Sequence, residues 1–190
     1  VTEAQVSGSR ARTRQAIVEA AIDLLGRNPA ASLGDIAAAA EVGRTTLHRY
    51  FTDRADLLRA VSAEASARLE RATAQARMAD GTGASAVRRL CQEYFDLGTV
   101  LSIIFNESLL SADQGWSGAG GCDPAFVAMV ERGHRDGTID PELPVDWVQS
   151  LIWSQLYAGW AYRAETGASR HDVLRLVLRT VDGAIAPRPA

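Results

Sequence analysis

The chain contains no lysine: all 20 of its basic side chains other than histidine are arginine. It has 2 cysteines, Cys91 and Cys122, which belong to no CxxC pair or His/Cys cluster, so no metal site is expected. No apolar run approaches the roughly 18 residues needed to cross a bilayer, and no basic-then-apolar leader opens the chain. The reading is a soluble, cytoplasmic protein without a membrane partner. Also missing are a Gly-rich phosphate loop followed by Lys, a GxSxG elbow, an HExxH pair and a DxDxDG loop. The glycine cluster around Trp116 lacks the flanking strand and lysine of a nucleotide site. An enzyme and a bound cofactor are therefore not expected. Period-2 alternation and solenoid-length repeats are absent too, which points away from sheets and toward an all-α fold.

What is present is a globular composition. Apolar residues make up 47% of 190, enough to bury a core. The net charge is −3 and gives no whole-chain sign of a polyanion partner. Its distribution is mildly uneven: residues 1–60 hold eight Arg against seven acids, the remainder twelve against sixteen. Arginine suits bidentate contacts to phosphate and guanine, but Arg and Ala richness reads first as compositional bias. Cys91 lies on a helical apolar face and reads as a buried structural thiol, whereas Cys122 sits in a Gly-rich loop. His134 and His171 stand in charged contexts and read as solvated.

Apolar spacing predicts a first helix from about Arg10 to Leu25 behind a frayed end, stopped by Gly26, Asn28 and Pro29. Ser32 then caps a short helix with Asp35 in a capping-box position. Leu33, Ile36, Ala37 and Ala40 form its inward stripe. Glu41-Val42-Gly43 makes a turn in which Gly43 is expected to provide the sharp bend and Val42 an apolar plug. A second short helix follows from Arg44 to Phe51, with Leu47, Tyr50 and Phe51 able to face inward. This is the layout of a helix-turn-helix whose second helix enters the DNA major groove. Arg44 and Thr45 open that helix, the end that meets base edges, and Arg49 shares its outer face. A long helix capped by Asp53 runs to about Met78. Further helices are expected at about Ala84–Leu97, Val100–Ser111, Asp123–Arg135, Val145–Thr166 and Ser169–Ile185, with a flexible loop over residues 111–123.

The amino-terminal third resembles the TetR/AcrR family of bacterial transcriptional regulators. The resemblance rests on the opening Arg12-Thr-Arg14-Gln-Ala-Ile-Val-Glu-Ala-Ala-Ile-Asp-Leu-Leu, on Ser32-Leu-Gly-Asp-Ile-Ala-Ala-Ala-Ala-Glu-Val, and on Thr46-Leu47 followed by Tyr50-Phe51, Arg54 and Leu57-Leu58. It implies a homodimer with a three-helix DNA-binding head at residues 9–54 and a larger helical body at 55–186 for effector binding and dimerisation. It also implies a repressor released from a palindromic double-stranded DNA operator by a small molecule. Thr46, His48, Tyr50 and Arg54 become expected phosphate contacts. Gly43 departs from the family's usual Ser or Thr cap, and His48 from its usual Tyr.

Most aromatic residues follow residue 80. A partly apolar effector pocket is expected to use Phe95, Phe105, Trp153 and Tyr157, with Asn106 and Glu107 as polar groups and Trp116 as a flap. The penultimate helix is apolar on more than one side, which marks it as buried all round. Leu151, Gln155, Ala158, Gly159 and Tyr162, with Val177 and Val181 of the last helix, are the expected two-fold dimer surface. The competing reading is a DNA-binding dimer whose body only assembles or docks a partner protein.

Overall fold

The computed structural model describes residues 3–106 and 122–188, with side chains from residue 8 onward. The described residues form the helices α1 (Glu3–Leu25), α2 (Leu33–Ala39), α3 (Arg44–Tyr50), α4 (Arg54–Gln75), α5 (Gly83–Asp96), α6 (Thr99–Ile104), α7 (Pro124–Asp136), α8 (Val145–Thr166) and α9 (Arg170–Ile185), and no strand. The all-α reading stands. The chain divides into two compact units: Val1–Ala67 with Thr99–Trp116, and Arg68–Gly98 with Ser117–Ala190.

In the first unit one face of α1 forms the core. Ile17, Ala21, Ile22 and Leu25 are buried with Ile36 of α2, Leu47 of α3 and Leu57 and Val61 of α4. α1 begins at Glu3, earlier than the Arg10 expected, because no proline or turn pair interrupts it. α6 joins this unit although it lies far along the chain, and it packs on α1. Gly26 allows that approach, since a Cβ there would collide with the Ser102 hydroxyl and lie 3.1 Å from the Thr99 carbonyl oxygen. The Thr99 hydroxyl donates to Asp23 at 2.9 Å on the same contact. A boundary after Arg54 leaves α6 and the start of α4 outside this unit, so the compact units and the 9–54 division partition the chain differently.

The second unit is built on α5, α7, α8 and α9. Val87 and Leu90, Met129 and Val130, Ile152 and Leu156, Val177 and Val181 fill its interior. α5 and α7 cross backbone to backbone at Gly83 and Gly133, where a Cβ on Gly83 would lie 2.5 Å from the Gly133 nitrogen. α4 stops at Gln75, three residues short of the expected Met78, and Arg77 turns into the left-handed region at φ 45°. The reason is long-range. Arg89 of α5 donates to the carbonyls of Ala76, Arg77 and Asp80 at 3.0, 3.0 and 2.6 Å. Arg132 of α7 donates to Met78 and Gly81 at 2.6 and 2.9 Å. Two guanidiniums thus take the acceptors that a continuing helix would use. Among the described residues no helix is long and apolar enough to cross a membrane.

Candidate nucleic-acid interface and effector site

The head is set by local chemistry at Ser32. Its hydroxyl accepts from the Asp35 amide at 3.2 Å, and the Asp35 carboxylate accepts from the Ser32 amide at 2.8 Å, completing the capping box. The Ser32 hydroxyl donates to the same carboxylate at 2.7 Å. These bonds to the Ser32 side chain and backbone hold the Asp35 carboxyl below its ordinary range.

The turn departs from expectation. Gly43 is extended, at φ −69° and ψ 151°, and the left-handed residue is Glu41 at φ 54°. The bend needs a positive φ directly after α2, two residues before the glycine. The Val42 amide then donates back to the Ala37 carbonyl at 2.9 Å, with the Val42 side chain half-buried as the plug. Gly43 serves as the N-cap of α3 without a side-chain bond.

α3 is held from beneath by Leu47 and by Phe51 just past its end, each 1% exposed. The Arg14 guanidinium lies over the Phe51 ring at 5.1 Å. That anchoring leaves Arg44, Thr45, His48 and Arg49 exposed, with Thr46 and Tyr50 half-buried. Arg49 stacks over the Tyr50 ring at 5.5 Å. Arg44 lies flat across Gly34 of α2, where a Cβ would sit 2.9 Å from its terminal nitrogen. It borders a cleft of about 440 Å³ that Ser32, Leu33, His48 and Arg54 also line. The packing of Arg44 on Gly34 was missed by sequence reasoning, since nothing local marks which cation will cross that glycine.

Arg54, expected as a phosphate contact, is engaged within the chain. Its guanidinium donates to the Pro29 carbonyl at 2.8 Å and to the Ala31 carbonyl, tying the α1–α2 loop to the start of α4. Those carbonyls belong to a loop with no helix partner for them, and the guanidinium fork fits both.

In the second unit Tyr94 and Trp153 stack with centroids 5.2 Å apart at 23°. The Thr73 hydroxyl is 2.9 Å from the Tyr94 hydroxyl and 2.8 Å from the Leu69 carbonyl. Thr73 gives its one proton to the carbonyl, so Tyr94 donates to Thr73. Burial pushes the Tyr94 phenol up. Tyr94 was absent from the expected pocket set; its spacing to Cys91 was the available signal. Tyr157 is half exposed and tilted against Trp160, with centroids 5.7 Å apart. Phe95 is 5% exposed and packs beneath α8, where a Cβ on Gly159 would be 3.1 Å from its ring. Phe105 and Asn106 follow α6 in the first unit and are half-buried. Glu107, Trp116 and most of the 111–123 loop lie outside the described residues.

The expected dimer set splits. Gly159, Val177 and Val181 are buried within the single chain, and a Cβ on Gly159 would lie 2.6 Å from a Val177 methyl. They join α8 to α9 and have no surface left for a partner, because the apolar spacing of α8 and α9 serves their mutual contact first. Ala158 and Tyr162 are exposed, and Leu151 and Gln155 are half-buried. Trp147 of α8 is 60% exposed and Leu176 of α9 is 47% exposed, and neither was in the expected set. Buried Val148, Ile152 and Leu156 face the opposite way, so α8 is not enclosed on all sides by its own chain.

The sequence pattern of bacterial regulatory proteins of the tetR family matches residues 17–61. The chain is 36% identical over 183 residues to the HTH-type transcriptional repressor LfrR of Mycolicibacterium smegmatis, covering 96% of this chain and 95% of that protein. The crystal structure of LfrR from Mycobacterium smegmatis in complex with proflavine superposes with a TM-score of 0.72 at 32% identity, covering 94% of this chain and 99% of that one. The ketosteroid transcriptional regulator KstR2 of Mycobacterium tuberculosis shares the fold at 16% identity, with a TM-score of 0.70 over 92% of this chain and 95% of that one.

Proposed function

We propose a function from one premise: this chain belongs to the bacterial tetR family of regulatory proteins, and is therefore a DNA-binding transcriptional regulator. The finer reading is a homodimeric repressor that a small molecule releases from a palindromic operator. Residues 9–54 read DNA, and 55–186 bind the effector and dimerise. The observation that carries the DNA part is α3: Leu47 and Phe51 fix its inner side while Arg44, Thr45, His48 and Arg49 are presented outward. Arg44 and Thr45, at its first turn, are the base readers, and Thr46, His48, Arg49 and Tyr50 hold phosphates.

Exposed Trp147, Ala158 and Tyr162 and half-buried Leu151 of α8, with exposed Leu176 of α9, support the dimer. An isologous two-fold face of this kind presents two α3 helices to two half-sites. The Tyr94–Trp153 stack supports a flat aromatic effector. Proflavine, bound by the related LfrR, is the natural first probe for it.

Footprinting on the DNA flanking the gene tests the reading, with a palindromic protected site expected. Arg44→Ala should cost about 1–3 kcal/mol on that site and much less on a scrambled duplex. Equal losses on both would remove the base-reading role. Proflavine should quench Trp153 fluorescence and dissociate the complex. Protection unaffected by saturating proflavine would exclude it as the effector.

A further inference from the structure

A polar groove lies in the other unit from α3, on a side of α9 away from Leu176. Arg88 and Gln92, one turn apart on α5, face Arg175 and Arg179, one turn apart on α9, across a groove of about 460 Å³. Leu174 and Leu178 line its apolar part, and His171 and Asp182 stand along its α9 side. Three guanidiniums meet a single carboxylate in the lining, on a chain whose net charge is −3.

The ion pairs hold part of this set in place. Arg88 pairs with Asp182, and Arg175 reaches Asp172 at 3.6 Å. Among the described residues Arg179, His171 and Gln92 have no hydrogen-bond or ion-pair partner. The groove therefore offers one fixed guanidinium, one loosely tethered, and three polar groups without a protein partner, above an apolar strip. Guanidinium forks match the paired oxygens of phosphate and carboxylate.

We propose that this α5–α9 groove binds a small organic dianion, a phosphate ester or dicarboxylate with a short apolar skeleton, independently of the Tyr94–Trp153 stack. The oxygens meet Arg175, Arg179 and Gln92, and the skeleton lies on Leu174 and Leu178.

The chain's 3 histidines, His48, His134 and His171, make the test direct, because their ring resonances are assignable by single substitutions. The full chain is titrated with phenyl phosphate, with inorganic phosphate and with a short duplex lacking any operator. Saturable movement of the His171 resonances by phenyl phosphate is expected, at lower concentration than by inorganic phosphate. Arg175→Ala combined with Arg179→Ala should weaken it by at least about tenfold, close to 1.4 kcal/mol. Arg163→Ala on α8 should leave it unchanged. Equal, unsaturable movement of all three histidines would mean an ionic-strength effect and overturn the proposal. So would insensitivity to the double substitution, or a response to the duplex alone.

Discussion

Arg54 offers the sharpest test, because two readings of it predict different measurements. If it clamps the α1–α2 loop, Arg54→Ala removes two hydrogen bonds from a charged donor to the carbonyls of Pro29 and Ala31. Such bonds are worth about 1.5–3 kcal/mol each when shielded. This guanidinium is half-buried and its bond to Pro29 is exposed to solvent, which takes both bonds below that shielded range, and the expected loss is about 1–2 kcal/mol in total. For a chain of this size that is a fall in Tm of roughly 2–8 °C. Arg54→Lys should recover less than half of it, since a single ammonium does not reproduce the fork. DNA affinity should fall on operator and scrambled duplex alike, because the head is less well ordered. The slope of log K against log salt should stay the same. A phosphate contact would behave in the opposite way. Thermal stability would be unchanged, and the salt slope would shrink by about 0.9 for each lost contact. An unchanged Tm with a reduced slope would refute the clamp.

Other substitutions follow from the same packing. Gly159→Ala gains about 1 kcal/mol of helix propensity but forces a methyl to 2.6 Å from Val177, an overpacking cost of about 1–3 kcal/mol. Denaturant unfolding should show a net loss of up to about 2 kcal/mol; unaltered unfolding with a weakened dimer by light scattering would return Gly159 to the subunit interface. Asp35 is held below its ordinary range by Ser32, so its stabilisation is fully present above the unfolded carboxylate range and is lost as pH falls through the lower folded value. Asp35→Asn should therefore be less stable than the parent at neutral pH and should flatten acid unfolding below about pH 4, and parallel acid curves would contradict the assignment. Burial pushes the Cys91 thiol up to about 12, so it should resist a thiol reagent at pH 8 until the chain unfolds, whereas fast labelling of Cys91 in the folded chain would contradict its burial.

What was legible in the sequence was local. Ser32 with Asp35, Ser169 with Asp172, and Asp123 ahead of Pro124 mark helix starts because each cap is closed within three residues. The division of α3 into inner and outer faces was equally legible, since Leu47 and Phe51 follow from spacing alone. What escaped was set by neighbours distant in sequence. Arg54 is indistinguishable from a solvent-facing cation until the Pro29 carbonyl is known to lie beside it. Gly159 reads as a place for close approach, correctly, but nothing along α8 says whether α9 of the same chain or a second chain comes near. The end of α4 moved because Arg89 and Arg132 reach it from α5 and α7. The candidate pocket was the least legible part, since Phe95 and Trp153 have the same aromatic character and the fold assigns one to the core and the other to the Tyr94 stack.

The Glu41–Gly43 arrangement bears on how self-sufficient the DNA-reading motif is. A left-handed glutamate costs about 1 kcal/mol or more relative to glycine, while the glycine two residues later occupies a conformation any residue accepts. Local preference thus favours a different bend from the one present. The observed turn persists through the Val42 to Ala37 bond and through helices that are already packed. Each of those helices has only seven residues, far below the length at which a helix holds itself in water. Residues 32–54 are consequently not a portable cassette. Excised or grafted without α1 and α4, they would lose the turn before they lost any side chain that touches DNA.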